Sequence, residues 1–260
     1  MELISNFPDL DKYVVAFFLI MCRLTPVLVF KSINPISMLP AQIKLYLTLI
    51  FSFVILVATK NDIEIRNFSF NTYEEFFFSL SVEFLIGLTF WFALLTVYAA
   101  VYTMLKALDM QVGFNPMGIF NPSMNDSDPI LTRVIIILLS LLFFILDGHY
   151  KILTLVTETV RLIPLNSGYG EIKLSTLSQL LSSQYILAVV LVLPIIIAIF
   201  WIDLILGLCN KMMPQINIYF VGLPLKIAIA MIALSFSAGH IISIGESMLL
   251  KVEHFWNSLY

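Results

Sequence analysis

Charge is scarce in this sequence. Only 12% of its 260 residues are Asp, Glu, Lys or Arg, the net charge is −3, and the 14 Lys and Arg stand singly rather than in clusters. Nucleic acid calls for a basic stripe, and none is present. Cysteine is nearly absent as well: Cys22 and Cys209 both sit in apolar runs, where a thiol behaves as a small hydrophobe rather than as half of a disulfide or a metal ligand. His149, His240 and His254 stand apart, with no second ligand at metal-binding spacing, so neither a metal nor a cofactor is expected. There is no G-x-S-x-G elbow, no phosphate-binding loop and no dinucleotide fingerprint. Ser237 precedes His240 without an acid to orient the pair. No catalytic residue is assigned, and no enzyme is expected.

Apolar residues take the place of all this. They make up 60% of the chain, and the mean hydropathy is +0.98. A water-soluble domain of this size could not hide so much apolar surface, so the chain belongs in a bilayer or against other apolar protein. Its start, "MELISNFPDLDKYVVAFFLIMCRL", puts three acidic residues and one Lys before the first apolar run. That is the reverse of a secretory leader, and the first segment is expected to persist in the mature protein.

Apolar runs cover residues 13–30, 41–59, 76–108, 130–146, 177–208 and 218–249, separated by short loops rich in Pro, Gly, Asn or Ser. They predict an all-α, membrane-type protein with about six hydrophobic segments, no internal repeat and one domain spanning residues 1–260. The run 76–108 would be ~50 Å long as one helix, against a hydrocarbon core of ~30 Å. Pro194, in the middle of 177–208, predicts a kink, because its ring clashes with the preceding turn and it carries no N–H. Lone basic residues lie on both sides of the runs, so the inside and outside loops cannot be told apart.

Charged residues also fall within or beside these runs. Facing lipid at mid-membrane, each would cost ~2.5–3.5 kcal/mol. Arg23, Glu83, Arg133, Asp203 and Glu246 are the candidates for burial, with pairing expected for Arg23, Glu83 and Glu246. Lys106, Arg133 and Asp147, at run ends, also suit snorkelling to the interface.

One loop is unusual. "MQVGFNPMGIFNPSMNDSDP", residues 110–129, combines two Asn-Pro breaks with bare apolar side chains. Gly113 and Gly118 allow backbone shapes closed to other residues, while Asn115-Pro116 and Asn121-Pro122 stop a helix from continuing. Phe114, Met117, Ile119 and Phe120 are its apolar content. From these residues alone it reads as a connector. A small secondary transporter is a second reading, with "GFNPMGIFNP" and "MMPQINIYFVGLP" as broken helices around a site and Glu83, Arg133 and Asp203 as coupling residues. Against it stands the lack of any inverted repeat.

Four stretches, in this order and spacing, resemble the FliR family of flagellar biosynthesis and export proteins and its virulence type III secretion counterpart, the T component. They are "RLTPVLVFKSINPISMLPAQIK", the loop running on to "DPILTR", "LDGHYKILTLVTETVRLIP" and "NKMMPQINIYFVGLPLKI". The most specific match sets Pro214, Gln215 and Asn217 ahead of Gly222, Pro224 and Lys226, similar to P-Q-x-N-x-x-x-x-G-x-P-x-K. Asp147-Gly148-His149 with Pro164 beyond it is the next, and Gln111, Gly113, Pro122, Pro129, Leu131 and Arg133 follow a looser pattern. Arg23, Pro26, Pro35 and Pro40 match the family's amino-terminal prolines. Asn121 departs from the Asp often found there, and Lys211 from the usual Arg, while the tail "INIYFVGLPLKI" looks flagellar rather than virulence-type.

The resemblance implies bent helical hairpins packed in a multi-subunit helical export gate. The gate would hold one copy of this chain with FliP and several FliQ subunits, joined by FlhB, in the inner membrane at the flagellar basal body. It would pass unfolded proteins. The motif residues would lie at subunit interfaces, and residues 113–122 would form a plug inside the gate.

Overall fold

The computed structural model describes residues 10–33, 36, 39–59, 73–113, 130–163, 165, 174–213 and 218–258. Among them the regular elements are helices: α1 (Leu10–Val29), α2 (Ala41–Ala58), α3 (Tyr73–Val112), α4 (Ile130–Ile145), α5 (Gly148–Leu162), α6 (Leu174–Met212), α7 (Ile218–Phe236) and α8 (Ala238–Ser258). Four are long and apolar enough to cross a membrane, and six spans result if the bent pairs α4–α5 and α7–α8 each count as one. The all-α, membrane-type class expected from composition is the one observed.

Three boundaries differ from the apolar runs. Helix α3 extends to 40 residues, about 60 Å, because the polar residues at either end continue the turn without adding hydrophobicity. Helix α5 is missing from the runs, since its Lys, Thr and Glu residues break the apolar signal. The run 218–249 is two helices bent by 62°. The break falls at Ser237, between Ala233 and Gly239, where the small, polar "SAG" stretch lets the chain turn without proline.

The chain divides into two compact units, exchanging between them at 95/96, 142/143, 180/181 and 251/252. The first contains α1, α2, α3 as far as Leu95, the end of α4, α5, the first turns of α6 and the last turns of α8. Its core is a stripe at helical spacing on α1 (Leu19, Ile20, Leu24, Val27), with Ile86 and Phe90 of α3, Val156 of α5 and Trp256 of α8 also buried. The Phe90 and Trp256 rings lie 5.8 Å apart.

Gly87 fixes how closely α1 and α3 pack. A Cβ there would lie 2.1 Å from the carbonyl oxygen of Arg23, so only glycine lets the two backbones meet. Small residues serve this purpose where helices associate within membranes. Glu83 lies one turn before Gly87 on the same face of α3, which brings the Arg23 guanidinium within its reach. The α1 C-terminus is closed by Lys44 of α2, whose Nζ donates to Val29 O at 3.0 Å, a cation at a helix end rich in free carbonyls. Trp91 Nε1 donates to Lys31 O at 3.1 Å and anchors the chain just beyond.

The second unit holds the rest of α3, most of α4, most of α6, α7 and most of α8. Its α3 stripe is Val97, Val101, Leu105, Leu108 and Val112. Gly245 of α8 packs against Leu139 and Leu142 of α4, where a Cβ would come within 2.8 Å of Leu139. Helices α6 and α7 run antiparallel: Gly222 meets Leu206, and one turn further along α7 Lys226 pairs with Asp203, one turn earlier in α6. Helix α6 runs as one helix through Pro194, where a kink is expected. The carbonyl that Pro194 leaves without a donor, Val190 O, accepts instead from His240 Nε2 of α8 at 2.9 Å.

Much apolar surface stays uncovered. Only 17% of the α2 span and 28% of the α6 span are buried. On α6 the exposed residues Ile186, Val189, Leu193, Ile197, Phe200, Leu204 and Leu208 recur every three or four positions, which makes a stripe along the helix. Exposed apolar surface of this extent requires lipid or protein against it.

Candidate functional site at the base of the loop after α3

Residues 114–122, the heart of the loop singled out above, lie outside the described residues, as do Pro214, Gln215 and Asn217. The base of the loop does not. Helix α3 ends at Gly113, which takes the left-handed conformation at φ 85 and donates its N–H to Asp109 O at 3.1 Å. This is the usual way a glycine closes a helix C-terminus.

Asp109 itself is fully buried. Its Oδ2 accepts from the Thr132 N–H at 3.0 Å and from Thr132 Oγ1 at 2.6 Å. Thr132 stands in the first turn of α4, where the N–H groups have no helical partner and the helix dipole favours a negative charge. One carboxylate therefore caps α4 from α3 and joins the two stems of the loop.

The described end of the motif after α6, at the start of α7, comes to the same place. A Cβ on Gly113 would touch the Leu223 side chain at 3.6 Å, so α7 lines the loop base through the residue between Gly222 and Pro224. Gly222 is buried against Leu206, Pro224 is exposed, and Lys226 is held by Asp203, both partly exposed. The spacing of glycine and lysine in this motif thus has a physical meaning: the glycine admits α6, and the lysine one turn on neutralises its acid.

Asp147-Gly148-His149 forms the turn between α4 and α5. Asp147 is left-handed at φ 55, Gly148 has a Phe143 ring atom where its Cβ would sit, 2.5 Å away, and the exposed His149 ring lies 5.6 Å from that of Phe144.

Arg23 is a separate buried junction in the first unit. It is 0% exposed and Glu83 1%. Nε and Nη2 reach Glu83 Oε2 at 2.7 and 2.5 Å. Nη1 donates to Thr159 Oγ1 at 3.2 Å, and both terminal nitrogens donate to Ile163 O at 3.1 Å. That carbonyl ends α5, so the cation also sits at a helix C-terminus.

The remaining candidate charges are not buried within this chain, and the exposure of Arg133 suits the snorkelling also expected of it. Arg133 is exposed in the first turn of α4. Asp203 is partly exposed, and Glu246 is half-buried with no ion pair among the described residues. Helical phase explains this, since only one face of α4, α6 or α8 is covered within this chain. Asp109 and Thr132 were not selected from sequence. The signal that points to them is an acid one turn before a helix-ending glycine, followed by a hydroxyl residue at the start of the next apolar helix.

Together, the long apolar helices, the glycine-mediated close approaches and the stapled loop define a helical membrane protein whose outer faces await other surfaces. Over residues 14–252 the sequence matches the bacterial export proteins, family 1, and the chain belongs to that family. It is 28% identical over 193 residues to the flagellar biosynthetic protein FliR of Escherichia coli (strain K12), an alignment covering 73% of this chain and 71% of that protein. The FliR of Bacillus subtilis (strain 168) is 26% identical, with 58% of this chain and 60% of that protein aligned. The FliR of Aquifex aeolicus (strain VF5) is 25% identical, with 77% and 76% aligned.

Proposed function

We propose that this chain is a core subunit of a flagellar type III protein export gate in the bacterial inner membrane at the flagellar basal body. It would assemble as one copy with FliP-, FliQ- and FlhB-type subunits to pass unfolded proteins, without enzymatic chemistry of its own. The observation that carries this reading is the family match across nearly the whole chain, with FliR proteins among its relatives. The uncovered faces of α2 and α6 support it, since a gate subunit has other subunits for its solvent.

Residues 113–122 would be the movable seal. A pore that must admit a polypeptide yet hold back ions closes best with apolar contact, which expels water. Phe114, Met117, Ile119 and Phe120 supply that contact, and the glycines and prolines let it be displaced.

Gentle detergent extraction followed by mass measurement of the intact complex tests the assembly. Several different helical partners are expected; a monomer or small homo-oligomer would overturn it in favour of a transporter. Shortening 113–122, or replacing Phe114 and Phe120 by Ser, should raise ion leakage through the assembled gate. Unchanged conductance with normal assembly would sink the seal.

A further inference from the structure

We propose that Asp109 is a positioning residue for the seal, acting through Thr132, and that this role extends to a residue pair outside the seal itself. The inference rests on reading residues 113–122 as the seal. The geometry that carries it is wholly within described residues. The carboxylate is buried and takes two hydrogen bonds from Thr132, at 3.0 and 2.6 Å, across the two stems of the loop.

An apolar seal works only where it meets the opposing surface, so its placement matters as much as its composition. A loop hung from two independent helix ends is placed poorly. Each terminal turn that frays adds its residues to the loop, and each added residue extends its reach by up to ~3.5 Å. Asp109 prevents this on both sides at once. It occupies the last turn of α3, where its own carbonyl closes the helix on Gly113, and its carboxylate holds the first turn of α4. A side chain at Gly113 would meet Leu223 of α7 at 3.6 Å, so α7 runs beside the stem.

Burial makes the clasp directional in its consequences. A neutral, apolar residue at 109 would leave the Thr132 N–H and hydroxyl without an acceptor in a dry site, and α4 would lose its N-terminal anchor. Helix α4 could still form from Thr132 onward, since its apolar face is packed by Ile135, Ile136 and Leu139. The loss would therefore fall on the loop stem rather than on the fold.

The test compares Asp109→Ala, Thr132→Val and Thr132→Ser with a gate shortened in 113–122, all expressed with the partner subunits. The mass of the extracted complex and the ion leakage of the cells are both measured. The expected result is normal assembly throughout, with leakage rising several-fold in Asp109→Ala and Thr132→Val. Thr132→Ser, which keeps both donors, should stay near the unaltered level. If the shortened gate leaks while Asp109→Ala and Thr132→Val stay tight, the positioning role is wrong and the seal reading stands. If the shortened gate is also tight, the seal reading itself fails. Equal leakage from the Ser and Val variants would remove the hydroxyl bond as the cause and overturn the proposal. Should Asp109→Ala fail to assemble, Thr132→Val decides, and failure of both would make the clasp a folding element only.

Discussion

His240 Nε2 donates to Val190 O at 2.9 Å, and Val190 O is the carbonyl that Pro194 cannot serve. A proline breaks the ladder one turn back from itself, and here a histidine on another helix closes the gap. This explains how α6 remains one helix of 39 residues with a proline inside it. A carbonyl can only accept, so the ring must carry its proton on Nε2.

Removing that donor should therefore matter only while the proline is present. His240→Ala is expected to destabilise the protein by about 1 kcal/mol, the usual net worth of one hydrogen bond. In a Pro194→Ala background the backbone N–H returns, and the same change should cost less. Thermal unfolding of the four proteins in one detergent measures the coupling, and strictly additive losses would contradict the pairing.

Glu83 and Arg23 should behave as an inseparable pair. Replacing either alone by Leu strands a buried charge, and a loss of about 3–5 kcal/mol is expected. Replacing both together should cost less than the Glu83 change alone. Yield and melting temperature of the assembled complex are the readouts.

Gly87→Ala should be among the most damaging single methyl additions in the chain. Its Cβ would meet the backbone oxygen of Arg23 at 2.1 Å, and backbone cannot rotate aside as a side chain does. A loss of about 2 kcal/mol or more is expected, whereas Gly207→Ala, where the added Cβ has nothing within 4 Å, should leave folding in detergent unchanged.

Lys226 and Asp203 are partly exposed in this chain, so either single neutralisation should cost at most about 1 kcal/mol. Reversing one charge places like charges together across α6 and α7. The joint exchange, Lys226→Asp with Asp203→Lys, should recover complex formation lost in a single reversal. If the exchanged protein assembles no better than the single reversals, the pair is not what the motif's lysine serves.

The membrane class, the number of apolar segments and the family motifs were legible in the sequence because each is written locally, in hydropathy summed over a window or in residues at fixed spacing. Pro194 and the "SAG" stretch show where local reading fails. Pro194 tells locally that Val190 O loses its donor, but not that the replacement comes from a helix distant in sequence. The small residues around Ser237 predict nothing by hydropathy, yet the chain bends there by 62°. Which charges pair was also beyond the sequence. Arg23 and Glu83 meet because Gly87 admits the α1 backbone, while Arg133 is exposed because α4 turns its other face inward. Composition determined that this chain is helical and apolar, since that follows from the cost of unsatisfied backbone and polar groups in lipid. Only the tertiary structure decided that Asp109 holds Thr132 and that Leu223 lies beside Gly113, because those placements depend on where three separate helices cross.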